Sequence, residues 1–407
     1  MTTETKQERE TLVHGLDAHP YGLTLAVMSS RDPRQSVASK RITFALSQLA
    51  NILQQHTHPD DTIVLEASGN SFHLARRIAA YGRCAIVLES QSVALRTRGT
   101  PKTDGIDAER IARAYLGGQA KVVWTPRKEA AEWREIYFAY RNAVQDSVRA
   151  RNRIWSILNA NGKLGDRRRR ECERHGGVNL TTPGALAALQ KRLNGSPTQA
   201  ICMEDEFANY RHAEERRHRL ETEIARLVMS HPLALRLVRL CGIRHLVSFA
   251  LLAFIDDIRR FQNPKSLVRY LGLDPSVSTS GIGGGTGGLH GAGRADLRAM
   301  LVEGAKSVLR STSGGALKSW GVALKMRRGA NIAACGVARK MAVAVWQLLM
   351  GNYTPLFENE VSQALRRKLA TIATHVGSMF IRAKGYATNT AYIEDVLKTI
   401  VTPVIAT

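Results

Sequence analysis

From Gly281 to Gly293 the chain reads GIGGGTGGLHGAG, eight glycines in thirteen positions. Glycine loses more conformational freedom on ordering than any other residue and brings no side chain to a core. No continuous packed helix can run through this stretch, so the C-terminal half must be built around it. A phosphate-cradling P-loop is excluded, because no Lys-Ser or Lys-Thr follows and no lysine occurs between Lys265 and Lys306. What remains is a linker, or an arm that delivers one residue to a reaction.

The charge balance narrows the partner. Lys and Arg number 58 against 35 Asp and Glu, a net +23 and a pI near 10.3, which points to a polyanion, most commonly nucleic acid. An anionic membrane is the rival; no apolar run approaches the roughly 18 residues expected of a spanning helix. The polar start MTTETKQERETLV lacks the apolar segment of a signal peptide. Cysteines 84, 172, 202, 241 and 335 are odd in number and form no CxxC, so they read as reduced thiols of a cytoplasmic protein. At 407 residues with 44% hydrophobic content, the chain has room for two or three domains.

The first 125 residues alternate in type. LVHGLDA and LTLAVMSS read as strands joined by a tight His-Pro turn, and SKRITFAL as a third strand. LSQLANILQQH is helical, DTIVLEAS a buried strand, SFHLARRIAAYG a helix, CAIVLES a strand, and DAERIARAYLGG a helix ended by glycines. Three strands followed by alternating helix and strand predict an α/β domain with a mixed sheet.

Four acids fall at telling places. Asp17 ends the first strand, Glu66 closes TIVLE, and Asp104 and Asp107 share one face at the opening of a helix. Ligands gather at strand ends along one edge of an α/β sheet. Four carboxylates there would repel one another unless cations lay between them, and hard oxygen donors suit Mg2+ or Mn2+. Such a metal site could clamp the attacking and leaving oxygens of a phosphodiester. The plainer alternative makes Asp104 an N-cap and Asp107 a dipole partner. Upstream, Arg96, Arg98 and Lys102 are suited to hold a phosphate backbone.

The segments GLDAH, LEASGNSFHLARR and KTDGIDAERIA are similar, in order, to the DEDD insertion-sequence transposases, the group that includes the Piv and MooV inversion proteins. The resemblance implies a RuvC-like, ribonuclease-H-type catalytic domain over residues 1–125, with Asp17, Glu66, Asp104 and Asp107 as metal ligands. Pro20 departs from it, standing where a lysine is frequent.

Residues 126–235 read as a helical connector. The first helix has a stripe of Trp133, Tyr137, Tyr140, Val144, Val148 and Trp155, with Arg134, Arg141, Arg149 and Arg153 off it. DRRRRECERH, with Arg167 and Arg168, is a denser basic patch, either a solvated charge run or a phosphate-binding surface. Tyr210, Ala213, Arg217, Leu220, Ile224 and Leu227 trace a coiled-coil seam. An intramolecular helical hairpin leaves the same trace; the resemblance implies assembly of protomers, as a dimer or a dimer of dimers.

Residues 236–355 carry the glycine run. LVRLCGIRHLV is similar to a helix-hairpin-helix turn whose amides can meet a phosphate, though a glycine between two core helices looks the same. In the DEDD transposases Gly-Leu-x-Pro is followed, five residues after the proline, by Ser-Gly; GLDPSVSTSG has that spacing. The resemblance therefore assigns Ser280 as nucleophile on a mobile loop, with Ser276 and Ser278 as neighbours. His290 departs from it, standing where relatives carry serine. MRRGANIAACGVARKMAVAVWQLLMGNYTPL is similar to the closing helix of that family, with Arg327, Arg328, Arg339 and Lys340 as its basic face. In the tail, 356–407, Val361, Leu365, Leu369, Ile372 and Val376 trace an amphipathic packing helix.

The combined expectation is a DNA recombinase of an insertion sequence. Ser280 attacks phosphorus with the help of metal ions and leaves a phosphoserine–DNA bond. The resemblance further implies a bridge RNA that selects the DNA partners by base pairing. The alternatives are a metal-dependent junction-resolving nuclease using water, and a non-catalytic nucleic-acid-binding protein.

Overall fold

The computed structural model describes residues 10–19, 21–32, 37–94, 104–118, 120–160, 178–193, 196–278, 285–289, 291–311, 315–352 and 363–401. The chain divides into two compact units, Met1–Arg127 and Lys128–Thr407.

The first unit has six strands: β1 (Val13–His19), β2 (Gly22–Met28), β3 (Ala38–Phe44), β4 (Thr62–Glu66), β5 (Cys84–Leu88) and the short β6 (Val122–Val123). Their order across the sheet is β3-β2-β1-β4-β5-β6. The β1–β4 and β4–β5 pairs are parallel, and the other neighbours are antiparallel. Helices α1 (Leu49–His56), α2 (Ser71–Ala80), α3 (Ser90–Ala94) and α4 (Asp104–Leu116) complete it. The mixed α/β expectation holds, and β6 is an edge strand too short for the sequence to announce.

Alternation along the strands makes two cores. Leu16, Leu25, Ile63 and Leu65 pack with Leu49, Leu53, Leu74 and Ile78 of α1 and α2. Val13, Ala26, Met28 and Val64 pack on the opposite face with Ala108, Ile111 and Ala112 of α4. Gly15 faces α4, where a Cβ would fall 1.7 Å from the Ala108 carbonyl oxygen. Only a residue with no side chain lets α4 lie this close to β1.

One buried polar group pins this sheet. Asp61, fully buried, accepts hydrogen bonds from the Leu12 and His58 amides at 2.9 and 2.7 Å. His14 Nε2 lies 3.1 Å from the same carboxylate, and His14 Nδ1 accepts from the Met28 amide at 3.0 Å. That Nδ1 acceptance makes Nε2 the protonated nitrogen, donating to Asp61. Burial pushes the Asp61 pKa up, but the amide and His14 hydrogen bonds outweigh it and hold the carboxyl below its usual range.

The second unit is helical apart from one hairpin. It comprises α5 (Lys128–Ala160), α6 (Ala185–Gln190), α7 (Pro197–Ser230), α8 (Pro232–Arg239), α9 (His245–Ile255), α10 (Pro264–Tyr270), the strands β7 (Pro275–Ser278) and β8 (Gly285–Leu289), then α11 (Ala295–Arg310), α12 (Gly315–Arg328), α13 (Ala330–Leu349), α14 (Gln363–Val376), α15 (Ser378–Ala383) and α16 (Asn389–Val401). Ser196 caps α7 by accepting from the Gln199 amide, and Pro197 follows at the first helical position.

Helices α5 and α7 pair antiparallel within the chain, joined by Ser147–Glu214 (2.5 Å) and Arg153–Glu206 (3.2 Å). The seam through Tyr210, Ala213 and Ile224 is thus covered by α5, the hairpin alternative. The stripe expected on α5 is right only in its first half. Past Tyr140 the buried line runs through Ala143, Ser147, Ala150, Ile154 and Leu158, whereas Val148 and Trp155 are exposed. Small residues let the two helices approach closely, and a search for large apolar side chains passes over them.

The long apolar run thought missing is present in α13: Ala330–Leu349 has the length and hydropathy of a membrane span. Ala333, Ala334, Ala338, Ala342 and Ala344, with Val337, Met341 and Val345, are buried, and Arg339 and Lys340 interrupt the run. Leu365, Leu369, Ile372 and Val376 of α14 are buried as the tail pattern predicts, while Val361 lies outside the described residues.

Candidate functional site

The acids of the first unit are placed by strand register. Parallel pairing of β1 with β4 aligns Gly15 with Val64 and Leu16 with Leu65. One step further stand Asp17 and Glu66, at the carboxyl ends of adjacent parallel strands. Asp17 follows Gly15, and Glu66 follows Val64, by two residues, so both side chains lie on the face covered by α4. Asp107 is in the first turn of α4, one residue before Ala108, whose carbonyl sits over Gly15. Asp104 opens the same helix, and its side chain lies outside the described residues.

The loop after Glu66 is fixed by serine. Ser71, fully buried, accepts from the Ser68 amide at 3.1 Å and donates to the Ser68 carbonyl at 3.0 Å. Ser90 donates to the Ala67 carbonyl at 2.6 Å. Glu66 therefore ends its strand against a rigid turn.

Two neighbours were missed by the sequence reading. His19, also on the α4 face of β1, has Nε2 3.4 Å from Asp17 and 3.5 Å from the Thr24 hydroxyl. Its spacing of two from Asp17 within a strand is the signal that could have found it. Glu109 is buried and paired with Arg41 and with Arg113 (2.6 Å). Two guanidiniums neutralise Glu109, whereas Asp107 has Arg110 at 2.9 Å and is one-third exposed. An acid already saturated by cations is a structural acid. Asp107 keeps the exposure that a ligand needs.

Ser280 lies outside the described residues, in the 279–284 connection between β7 and β8. The glycine stretch differs from the loop expected: Gly285–Leu289 pairs antiparallel with Pro275–Ser278, matching Val277 with Thr286 and Ser278 with Gly285. Ser276 donates to the Gly288 carbonyl at 3.0 Å. The base of this hairpin is a neck of backbone against backbone. Gly293, at φ +86°, would place a Cβ 2.7–2.8 Å from Gly272 N and the Arg269 and Tyr270 carbonyls. Gly272, at φ +65°, would meet the Ala292 carbonyl at 2.4 Å. Arg298 donates to the Gly272 carbonyl at 3.2 Å, and Arg339 to that of Leu273 at 3.0 Å. Arg339, read as part of a basic face, is instead a clamp on the hairpin base.

The helix-hairpin-helix idea fails at its glycine. Gly242 (φ +76°) turns between α8 and α9, but a Cβ there would sit 2.7 Å from the Gly304 carbonyl of α11. The close approach is taken by another helix, as in a turn between two core helices.

The arginines expected to meet nucleic acid differ in setting. Arg141 pairs with Asp296 (3.3 Å), which also binds Arg294 (2.7 Å) and Tyr137 (3.2 Å). Burial opposes ionisation of Asp296, yet Arg294 and Arg141 hold its carboxyl below the usual range. Arg149 pairs with Asp146 at 3.0 Å, and Arg153 with Glu206. Exposed pairs of this kind contribute about 0–1 kcal/mol, so phosphate can compete for these guanidiniums. Arg327 and Arg328 are exposed in the last turn of α12. Arg96, Arg98, Lys102, Arg167, Arg168 and His290 lie outside the described residues.

Residues 234–319, from α8 into α12 and spanning the hairpin, match the family described as Transposase IS116/IS110/IS902 family. A probable family 20 transposase of Pseudomonas aeruginosa is 28% identical over 295 residues, covering 72% of this chain and 84% of the relative. The transposase for insertion sequence element IS1111A of Coxiella burnetii is 24% identical, covering 72% and 78%. The transposase for insertion sequence element IS1328 of Yersinia enterocolitica is 24% identical, covering 75% and 88%. At low identity, the chain is similar to insertion-sequence transposases along most of its length.

Proposed function

We propose that the chain is a DNA recombinase of an insertion sequence, with a RuvC-like domain carrying Asp17, Glu66, Asp104 and Asp107, and with Ser280 as nucleophile. The observation that supports this reading is the β1–β4 register, which continues to Asp17 beside Glu66 at the ends of adjacent parallel strands on the face packed by α4. The strand order, with antiparallel β3-β2-β1 and parallel β1-β4-β5, supports the ribonuclease-H-type assignment.

An all-carboxylate donor set at partly exposed strand ends fits a hard cation such as Mg2+ or Mn2+. When bound, the ion supplies charge neutralisation at the phosphate oxygens. The chain's own residues do the rest. β1 and β4 fix Asp17 and Glu66 at adjacent strand ends, and Asp107 would join them from the first turn of α4, the helix packed on that face. His19 Nε2 orients the Asp17 carboxylate. Ser280 Oγ forms a bond to phosphorus and loses its proton as the P–O3′ bond breaks. The departing oxygen takes up a proton, leaving a phosphoserine–DNA link and a free 3′-hydroxyl. A hydroxyl is a weak nucleophile near neutral pH and needs this activation.

The partners proposed are DNA at the element ends and target, a bridge RNA, and further copies of the chain. Of the arginines read from the sequence, Arg149, Arg153, Arg327 and Arg328 present exposed guanidiniums suited to phosphate contact, while Arg141 is held by Asp296. Reconstitution tests the reading: purified protein is mixed with DNA carrying element end and target, with or without RNA transcribed from the element's flanks. Joined product should require both Mg2+ and that RNA. Joining in excess EDTA would remove the metal role, and equal joining with unrelated RNA would remove guidance.

A further inference from the structure

In the helical unit a second set of metal-ligand side chains converges, apart from the carboxylates assigned to DNA chemistry. Glu221 of α7, His245 at the start of α9 and His375 near the end of α14 each offer one donor atom, all within 4.8 Å of one another. It is the set of three or more found at that spacing among the described residues. Three elements far apart in sequence build it, the last of them from the tail.

The geometry is specific. His245 Nε2 stands 3.4 Å, and His375 Nε2 3.8 Å, from the same oxygen, Glu221 Oε1. The other oxygen, Oε2, is engaged by Arg217 at 2.8 Å. Arg217 thus fixes the carboxylate plane and leaves Oε1 turned to the two imidazoles. His245 is buried, and neither of its ring nitrogens has a hydrogen-bond partner. A buried imidazole whose one polar contact is a long approach to a carboxylate is poorly satisfied, which a ligand would relieve.

We propose that Glu221, His245 and His375 form a binding site for Zn2+. Separations of 3.4 and 3.8 Å are long for hydrogen bonds. They are close to the edge of a tetrahedron around zinc: bonds of about 2.0–2.1 Å put ligand atoms roughly 3.3–3.5 Å apart. Two imidazoles and a carboxylate are a borderline donor set that suits zinc, in contrast to the all-oxygen set of the first unit. A cavity of about 860 Å3 reaches these side chains and Gly242, Arg244 and Lys368, so a water can complete the coordination. The ion would tie the tail helix α14 to α7 and to the α8–α9 turn. Nothing in this inference depends on the proposed recombinase chemistry.

The test uses the full chain, stripped with chelator and titrated with Co2+ and then Zn2+. Wild type should develop visible cobalt bands that a single equivalent of Zn2+ abolishes, and Zn2+ should raise its unfolding temperature. His375 is partly exposed, so His375→Ala should fold; it should lose the bands and the thermal shift, and bind Zn2+ at least about 100-fold more weakly. Glu221→Gln should weaken binding in the same direction. The double variant Asp17→Asn/Glu66→Gln should keep the bands, because its changes lie in the other site. Absence of cobalt bands from wild type, or their persistence in His375→Ala, overturns the proposal, as does their loss only in the Asp17→Asn/Glu66→Gln protein.

Discussion

The two units hold their candidate reactive groups by opposite means. In the first, Asp17 and Glu66 end neighbouring strands of a sheet packed on both faces, so strand pairing fixes where their side chains start. In the second, Ser280 belongs to the connection of a two-stranded hairpin whose base is clenched by Gly272 and Gly293. Charge stabilisation of a phosphate calls for groups fixed before the reaction, since preorganised dipoles and charges gain most there. Delivery of a nucleophile to a large polymer calls for reach. Glycine serves both: Gly15 lets α4 lie on β1, and Gly272 and Gly293 permit the close backbone approach at the hairpin base.

The largest expected effect comes from breaking the fixed half. Asp17→Asn, Glu66→Gln or Asp107→Asn should each lower strand cleavage by roughly a thousandfold or more while the far-ultraviolet circular dichroism stays unchanged. Any variant that cleaves at near-normal rate leaves the acidic set. Gly15→Ala should act on the same region through packing. Its Cβ would overlap the Ala108 carbonyl, so the first unit should lose about 3 kcal/mol or more, read as a lowered denaturant midpoint. A midpoint equal to wild type would mean α4 does not press on β1.

The hairpin base should respond less in stability than in activity. Gly293→Ala forces a Cβ into three backbone atoms at positive φ, and should cost about 1–3 kcal/mol locally. Recombination should fall while DNA binding stays near wild type. Equal activity would show that the neck does not position the arm.

How much of this was legible in the sequence follows the same division. Short apolar runs exposed β1, β2, β4 and β5, and with them the positions of Asp17 and Glu66, because a strand packed on both faces is apolar at successive residues. Glu109 escaped notice because its partner Arg41 is distant in sequence, whereas His19 stood in plain view two residues from Asp17. On α5 the large residues Val148 and Trp155 drew attention, yet Ala143, Ser147 and Ala150 make the contact with α7. The strand in the glycine run was invisible because glycine carries no strand preference. The convergence of Glu221, His245 and His375 could not be read at all, since no local spacing links α7, α9 and α14.

A last effect, confined to stability, is a matter of pH. The folded-state pKa of Asp61 is below its unfolded value, so its contribution is present above the ordinary carboxylate range and is lost as pH falls through the lowered pKa. Asp61→Asn should lower stability at neutral pH by about 2–3 kcal/mol and flatten the acid limb of the curve below about pH 4. Parallel acid limbs in the two proteins would remove Asp61 from the acid response of the sheet.

The central claim is that a serine on the glycine hairpin attacks DNA with the carboxylates of the sheet in support. Its most direct measurement is the position of the protein–DNA bond. A nicked substrate bearing an element end is incubated with protein, RNA and Mg2+, the products are denatured and digested, and the peptide retaining a nucleotide is located by mass spectrometry. The account predicts the nucleotide on Ser280, and no adduct from Ser280→Ala or Glu66→Gln protein. A wild-type protein that cuts this substrate and never carries a nucleotide would contradict it and make water the nucleophile.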